Sequence, residues 1–281
     1  MSEFAPVAPE TNPLLWCPSM KNHHGKQGGS RVTLSRAMSK IGYCSRTQAE
    51  TLINEGRVRV NGSRATDCRL WIDLDLDVMA VDGVQVRAAA KSYIMLNKPR
   101  GLITTRDDPG GRDTVFSCLR DLNPSHISPV GRLDEASEGL LLFTNDTVLA
   151  QRLLDPETNV KKIYHVRVSG KPTESDIRHI MSGIQDRGET LTASSARILR
   201  FVEKNGWLEV ELREGRNRQI RRMVEALGFE CQRLVRVGID TLSLGSLNKG
   251  EYRYLSEVEI GTLGRRVGLP IVDFGEMDGK R

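Results

Sequence analysis

A run of small residues, Ala88-Ala89-Ala90 before Lys91, divides this chain into a compact stretch of about 60 residues and a longer one of mixed strand and helix signals. That break constrains the fold most, because each side must bury a core of its own. In the first stretch Leu34, Ala37, Met38 and Ile41 fall at helical spacing, and Gly42 follows where a left-handed cap is wanted. Ser45 and Gln48 form a capping box that opens a second helix, with Ala49, Leu52 and Ile53 turned inward and Gly56 ending it. Val58 and Val60 then alternate with Arg57 and Arg59, Val78, Val81 and Val86 continue the strand pattern, and Asn61-Gly62 and Asp82-Gly83 supply turns. The expectation is a small α/β module over 31–88, joined through a linker at 89–92 to the rest.

From Tyr93 the pattern changes. Ile94, Met95 and Leu96 start a buried strand, and Asn97-Lys98-Pro99-Arg100-Gly101 makes a turn. Strand patterns follow at 140–144, 164–168, 196–201 and 207–212, with helical ones at 174–183 and 218–227. That irregular order predicts an α+β domain over 93–264, with a large mixed, mostly antiparallel sheet and flanking helices. Residues 1–30 read as a disordered leader whose apolar patch is Leu14-Leu15-Trp16, and 265–281 as a flexible tail.

Charge narrows the partners. The net charge of +5 is modest, but five arginines crowd the ten residues from Arg213 to Arg222, as phosphate-rich partners favour. No apolar run approaches the roughly 20 residues of a membrane span, and the N-terminus lacks a secretory pattern, so a cytoplasmic protein without a membrane partner is expected. The five cysteines are scattered, with no C-x-x-C pair, which argues against a zinc site or a disulfide framework; no metal is expected.

Three strings could carry chemistry. In Gly131-Arg132-Leu133-Asp134, ahead of Ser137-Glu138-Gly139 and the apolar run that follows, Asp134 stands at an element end where rigid backbone can aim a nucleophile or base. In Lys162-Ile163-Tyr164-His165-Val166-Arg167-Val168, alternation puts Tyr164, Val166 and Val168 on one face of a strand, where an aromatic ring can stack a base. In Gly215-Arg216-Asn217-Arg218-Gln219-Ile220-Arg221-Arg222-Met223, the apolar stripe gives a helix with Asn217 as N-cap. Arginines then crowd the first turns, which the helix dipole disfavours unless anions await them.

Together these strings resemble the RsuA-like pseudouridine synthases, enzymes that act on bacterial ribosomal RNA. The likeness runs over roughly 32–260 and rests on G-R-L-D, K-x-Y-x-V and G-R-x-x-Q-I-R-R-M in the family's order, with Asn97-Lys98-Pro99 and Gly101 matching its opening strand and turn. The string from Ser45 to Gly62 resembles the alpha-L RNA-binding module named for a small-subunit ribosomal protein. The module departs from the usual pattern in having Leu70-Trp71-Ile72-Asp73 in place of a Pro-Gly turn.

The resemblance implies that Asp134 is the catalytic aspartate, Arg132 its basic neighbour, Tyr164 the tyrosine against the target base, Arg221 the arginine paired with Asp134, and Ile220 part of the apolar wall. Arg216, Arg218 and Arg222, with Arg36, Arg46 and Arg57 of the module, are the expected RNA contacts. The implied reaction moves uracil from its N1 to its C5 bond with ribose, and its bond count balances without a cofactor. The implied partner is ribosomal RNA, of the large subunit in preference to the small, with transfer RNA open and a monomer expected. Two other readings stay open: an RNA-binding protein without activity, and a glycosidase pairing Asp134 with Glu135 or Glu138.

Overall fold

The computed structural model describes residues 31–122 and 126–269. The expected leader, and 270–281 of the expected tail, lie outside the described residues. The small domain runs β1 (Arg31–Thr33), α1 (Leu34–Lys40), α2 (Arg46–Asn54), β2 (Val58–Val60), β3 (Ser63–Arg64), β4 (Trp71–Asp73), β5 (Met79–Val81) and β6 (Val84–Gln85). Its helices form for the reasons the sequence offers. Leu34, Ala37 and Met38 are fully buried against Ile53, Val58 and Ile72. The Ser45 hydroxyl accepts from the Gln48 amide at 3.1 Å, while the Ser45 amide donates to Gln48 Oε1 at 3.0 Å. Asn61 and Asp82 each take φ of 50° before a left-handed glycine, which closes the two hairpins.

The segment at 89–92 is fastened at both sides. The Ala89 amide donates to the Ile41 carbonyl at 2.8 Å; Asn145 donates to the Ala90 carbonyl and accepts from the Ser92 amide, both at 2.8 Å. Lys91 pairs with Asp146 at 2.7 Å. Small side chains let this backbone lie flat between the domains, so it acts as a strap.

The large domain contains β7 (Tyr93–Lys98), β8 (Ser128–Pro129), β9 (Glu138–Thr144), α3 (Thr147–Leu154), β10 (Lys162–Ser169), α4 (Glu174–Ser182), β11 (Ile184–Asp186), β12 (Glu189–Leu191), β13 (Ser195–Val202), β14 (Asn205–Leu212), α5 (Gln219–Ala226), β15 (Cys231–Ile239), β16 (Leu242–Ser243), β17 (Tyr252–Tyr254) and α6 (Glu257–Arg266). One sheet orders these strands β13-β14-β10-β15-β9-β7-β17, with β16 on β15 and β8 on β9. The chain is therefore α+β with a mostly antiparallel sheet. Strands β7 and β9 are buried throughout: Met95, Leu140 and Leu142 enter one core, and Ile94, Leu96, Leu141 and Phe143 enter another. The expected tail is partly core, because α6 runs to Arg266 and Val267 packs with Leu263 and Ile260.

Two antiparallel halves meet at a parallel seam between β9 and β15, where Glu138 lies beside Val235 and Gly139 beside Arg236. Gly139 has φ of +103°, and a Cβ there would lie 2.2 Å from the Arg236 carbonyl oxygen. Only glycine permits that approach. The loop carrying Asp134 feeds straight into this seam.

Candidate active site

A cleft of about 550 Å³ opens over the seam, lined by Asp134, Arg132, Tyr164, Ile220, Arg216 and Arg218 among others. It falls within the size of ordinary small-molecule sites and can take one base. The three strings, far apart in sequence, thus converge.

Asp134 is half-buried on the loop between β8 and β9. Its backbone is tied down: the carbonyl accepts from the Ser137 amide at 2.9 Å and from Lys98 Nζ at 3.2 Å. Lys98, fully buried at the end of β7, also donates to the carbonyls of Pro99 at 3.1 Å and Ser137 at 2.9 Å. Burial pushes the Lys98 ammonium down to about 8, against the pull of the Asp134 and Glu138 carboxylates. Sequence reasoning took Lys98 only as part of a turn. The available signal was a lysine closing a strand otherwise buried on both faces.

Lys98 carries a testable linkage. Its folded-state pKa lies below the unfolded value, so the unfolded chain binds the extra proton between them, and stability from this group rises as pH climbs from about 8 to about 10.5. Urea denaturation at about pH 7 and about pH 10 should show that rise in the parental chain and lack it in Lys98→Met, relative to each other. Equal pH dependence in both chains would show that Lys98 does not titrate in this range.

Glu138 does not join Asp134 in lining the cleft. It is buried in the seam, accepting from Arg233 at 2.9 Å on each oxygen, with Lys249 at 2.7 Å. Burial alone would raise its pKa, but these two cations hold it below the usual carboxylate range. Glu135 is exposed and pairs with Arg112 at 3.8 Å. Both observations weigh against the glycosidase reading, which needs two carboxylates facing one sugar.

Tyr164 sits half-buried on β10 and packs against the cores on both sides of the seam. Ile220 is buried on α5 and supplies apolar wall. Helix α5 starts one residue later than expected: its N-cap is Arg218, left-handed at φ of 50° and without a side-chain cap bond, rather than Asn217. The left-handed turn aims the Arg216–Arg218 corner into the cleft mouth.

Arg221 departs from expectation. Among the described residues no ion pair joins it to Asp134. Its guanidinium is buried and bridges two carbonyls instead, Ala136 at 2.9 Å and Cys231 at 3.2 Å, leaving Nε without a partner. The first turn of α5 places the fork beside the loop that carries Asp134, so it grips the backbone two residues past that position.

The remaining arginines divide. Arg36 and Arg46 line a second groove, of about 770 Å³, between the small domain and α3. Arg57 is not in that groove; it pairs with Asp82 at 2.6 Å and Glu55 at 3.1 Å. Arg222 is outside the cleft and tied to Asp186 and Glu189 on the hairpin of β11 and β12. Both lie beside acidic residues on neighbouring elements, which claim charges that sequence reading assigned to RNA. Among the described residues no cluster of three His, Cys, Asp or Glu could hold a metal ion, and no helix is long and apolar enough to cross a membrane.

The backbone that carries Asp134 is clamped at the wall of a base-sized cleft beside an arginine-rich helix start, a fold and a site of the kind that act on an extruded nucleotide. Comparison with known proteins makes this specific. The RNA pseudouridylate synthase family model matches residues 92–226, and the S4 domain model matches 33–67. An uncharacterized RNA pseudouridine synthase of Aquifex aeolicus is 37% identical over 242 residues, covering 86% of this chain and 97% of that one. Ribosomal large subunit pseudouridine synthase B of Bacillus subtilis is 36% identical over 233 residues, covering 82% and 94%. A crystal structure of a pseudouridylate synthase superposes with a TM-score of 0.59 at 28% identity, over 83% of this chain and 99% of the other. The chain belongs to the RNA pseudouridine synthase family, in its RsuA-like branch, and carries an N-terminal S4 domain. It is an isomerase acting on RNA.

Proposed function

We propose that this enzyme converts a uridine of large-subunit ribosomal RNA to pseudouridine, with Asp134 supplying the chemistry and without a cofactor. The observation that carries the reading is the placing of Asp134: its backbone is clamped by Lys98 and Ser137 while its side chain faces the cleft that Tyr164 and Ile220 wall. The large-subunit RNA is favoured by the name of the Bacillus subtilis relative.

The target base must leave its stack to reach position 134, at a cost of a few kcal/mol. Arg36 and Arg46 in the interdomain groove, and Arg132 and Arg218 at the cleft mouth, offset that cost by holding phosphates, while Arg216 beside them is shared with Glu214 at 2.9 Å. Tyr164 lies against the extruded ring. Asp134 then acts as nucleophile or base while the N1–ribose bond breaks and the C5–ribose bond forms. The proton lost from C5 balances the one gained at N1, so no electrons are exchanged.

Unmodified large-subunit and small-subunit ribosomal RNA, each incubated with the purified chain and mapped for pseudouridine, test this reading. The expected result is a defined site in the large-subunit RNA. Binding without isomerisation of either RNA would leave an RNA-binding protein only.

In this reading Arg221 is a positioning residue. Lysine cannot span the carbonyls of Ala136 and Cys231 as a planar fork does. Arg221→Lys should therefore lower kcat by roughly 10²-fold with KM little changed, as expected for a misplaced loop. Unchanged single-turnover rates would remove that role.

A further inference from the structure

Two cations that the sequence motifs left without a role meet at the inner end of the cleft. Lys162 and Arg236 both line it, on the adjacent strands β10 and β15. Pairing between these strands slips by one residue: Ile163 faces Gly238, yet Tyr164 faces Arg236. Such a bulge re-aims a side chain and switches which residue shares a face with its neighbour. Without it Tyr164 would face Val237. With it, Arg236 stands beside Tyr164, on the cleft side of the sheet.

Arg236 is only 5% exposed. Its Nε donates to the Leu140 carbonyl at 2.7 Å, but Nη2 is buried with no hydrogen-bond partner. Lys162 is half-buried two residues from Tyr164 on the same face, and among the described residues neither cation has an ion-pair partner. Burial and the nearby Arg236 charge both lower the Lys162 pKa. Two like charges held close in a poorly solvated place are unfavourable until an anion joins them. RNA brings one anionic chemistry, the phosphodiester.

We propose that Lys162 and Arg236 form a subsite for the phosphodiester of the extruded nucleotide, fixing its backbone while the base lies against Tyr164. The inference rests on the RNA reading given above and says which part of the substrate the inner cleft holds. The free guanidinium edge of Arg236 donates to a non-bridging oxygen, and Lys162 adds its charge from the end of β10.

Once the target uridine is mapped with the parental chain, synthetic RNAs containing it can carry a neutral methylphosphonate linkage on its 5′ or its 3′ side. One of these linkages should slow single-turnover conversion by the parental chain about tenfold or more, as loss of a charge-assisted contact does. The same linkage should cost Arg236→Gln less than about twofold, because the contact is already gone. Equal penalties in parental and variant chains, at both linkages, overturn the subsite while leaving the enzyme reading intact. If Arg236→Gln does not fold, Lys162→Gln at the strand end takes its place in the same comparison. A parental chain that isomerises no uridine at all removes the proposed function and the subsite together.

Discussion

Asp134→Asn should abolish pseudouridine formation while leaving the fold and RNA affinity in place. Asparagine keeps the shape of the side chain, and the contacts that hold this loop use the backbone: the Asp134 carbonyl accepts from Lys98 and Ser137, and the Ala136 carbonyl accepts from Arg221. Among the described residues, no hydrogen bond that positions the loop uses the carboxylate. What is lost is the anionic oxygen, which an amide cannot supply as nucleophile or base. The expected fall in single-turnover rate is about 10³-fold or more, with melting temperature and affinity for ribosomal RNA close to parental. Conversion at the parental rate would exclude Asp134 from the chemistry.

Gly139→Ala should be the most damaging glycine-to-alanine change among the described residues, because the added Cβ meets the backbone of a central strand. Two penalties combine at this position. A non-glycine residue at φ of +103° is strained by roughly 1–3 kcal/mol. The new Cβ would also sit 2.2 Å from the Arg236 carbonyl oxygen and 2.8 Å from its amide nitrogen, so a central strand must move. A total above about 4 kcal/mol follows, which in a chain of this size lowers the midpoint of thermal unfolding by about 10 °C or more. Gly101→Ala separates the two causes: its φ is +95°, but nothing lies within 4 Å of an added Cβ, so it carries the strain alone. Similar melting temperatures for the two variants would show that the seam tolerates the methyl group.

The parts legible in sequence were those fixed by local rules. The capping box at Ser45 and Gln48, the turns at Asn61-Gly62 and Asp82-Gly83, and the alternation around Tyr164 each act within a few residues. The α+β sheet and the union of Asp134, Tyr164 and Ile220 at one cleft followed from motifs in a known order. The parts not legible depend on who faces whom across strands. Arg222 and Arg57 look like RNA contacts until Asp186, Glu189 and Asp82 are seen beside them. Arg221 was expected to pair with a carboxylate and holds two carbonyls instead. The role of Arg236 depends on a one-residue slip between β10 and β15, which no periodicity in either strand records. Glu138 looked available for catalysis because its partners, Arg233 and Lys249, lie about a hundred residues away.

The strap between the domains has a thermodynamic meaning. Asp146 Oδ2 takes both Lys91 and the Tyr93 hydroxyl, while its other oxygen caps α3, whose Gln151 and Leu154 form one wall of the groove beside Arg36 and Arg46. Leu154 borders the Asp134 cleft as well. One carboxylate thus registers the strap, the first strand of the large sheet and the groove wall against each other, and the strap in turn is tied to the S4 domain where the Ala89 amide donates to the Ile41 carbonyl. A loosely tethered pair of modules would lose orientational freedom at the moment of capturing its ligand. Here that loss falls in folding, so a transcript arriving at the surface meets two halves of one preset mould.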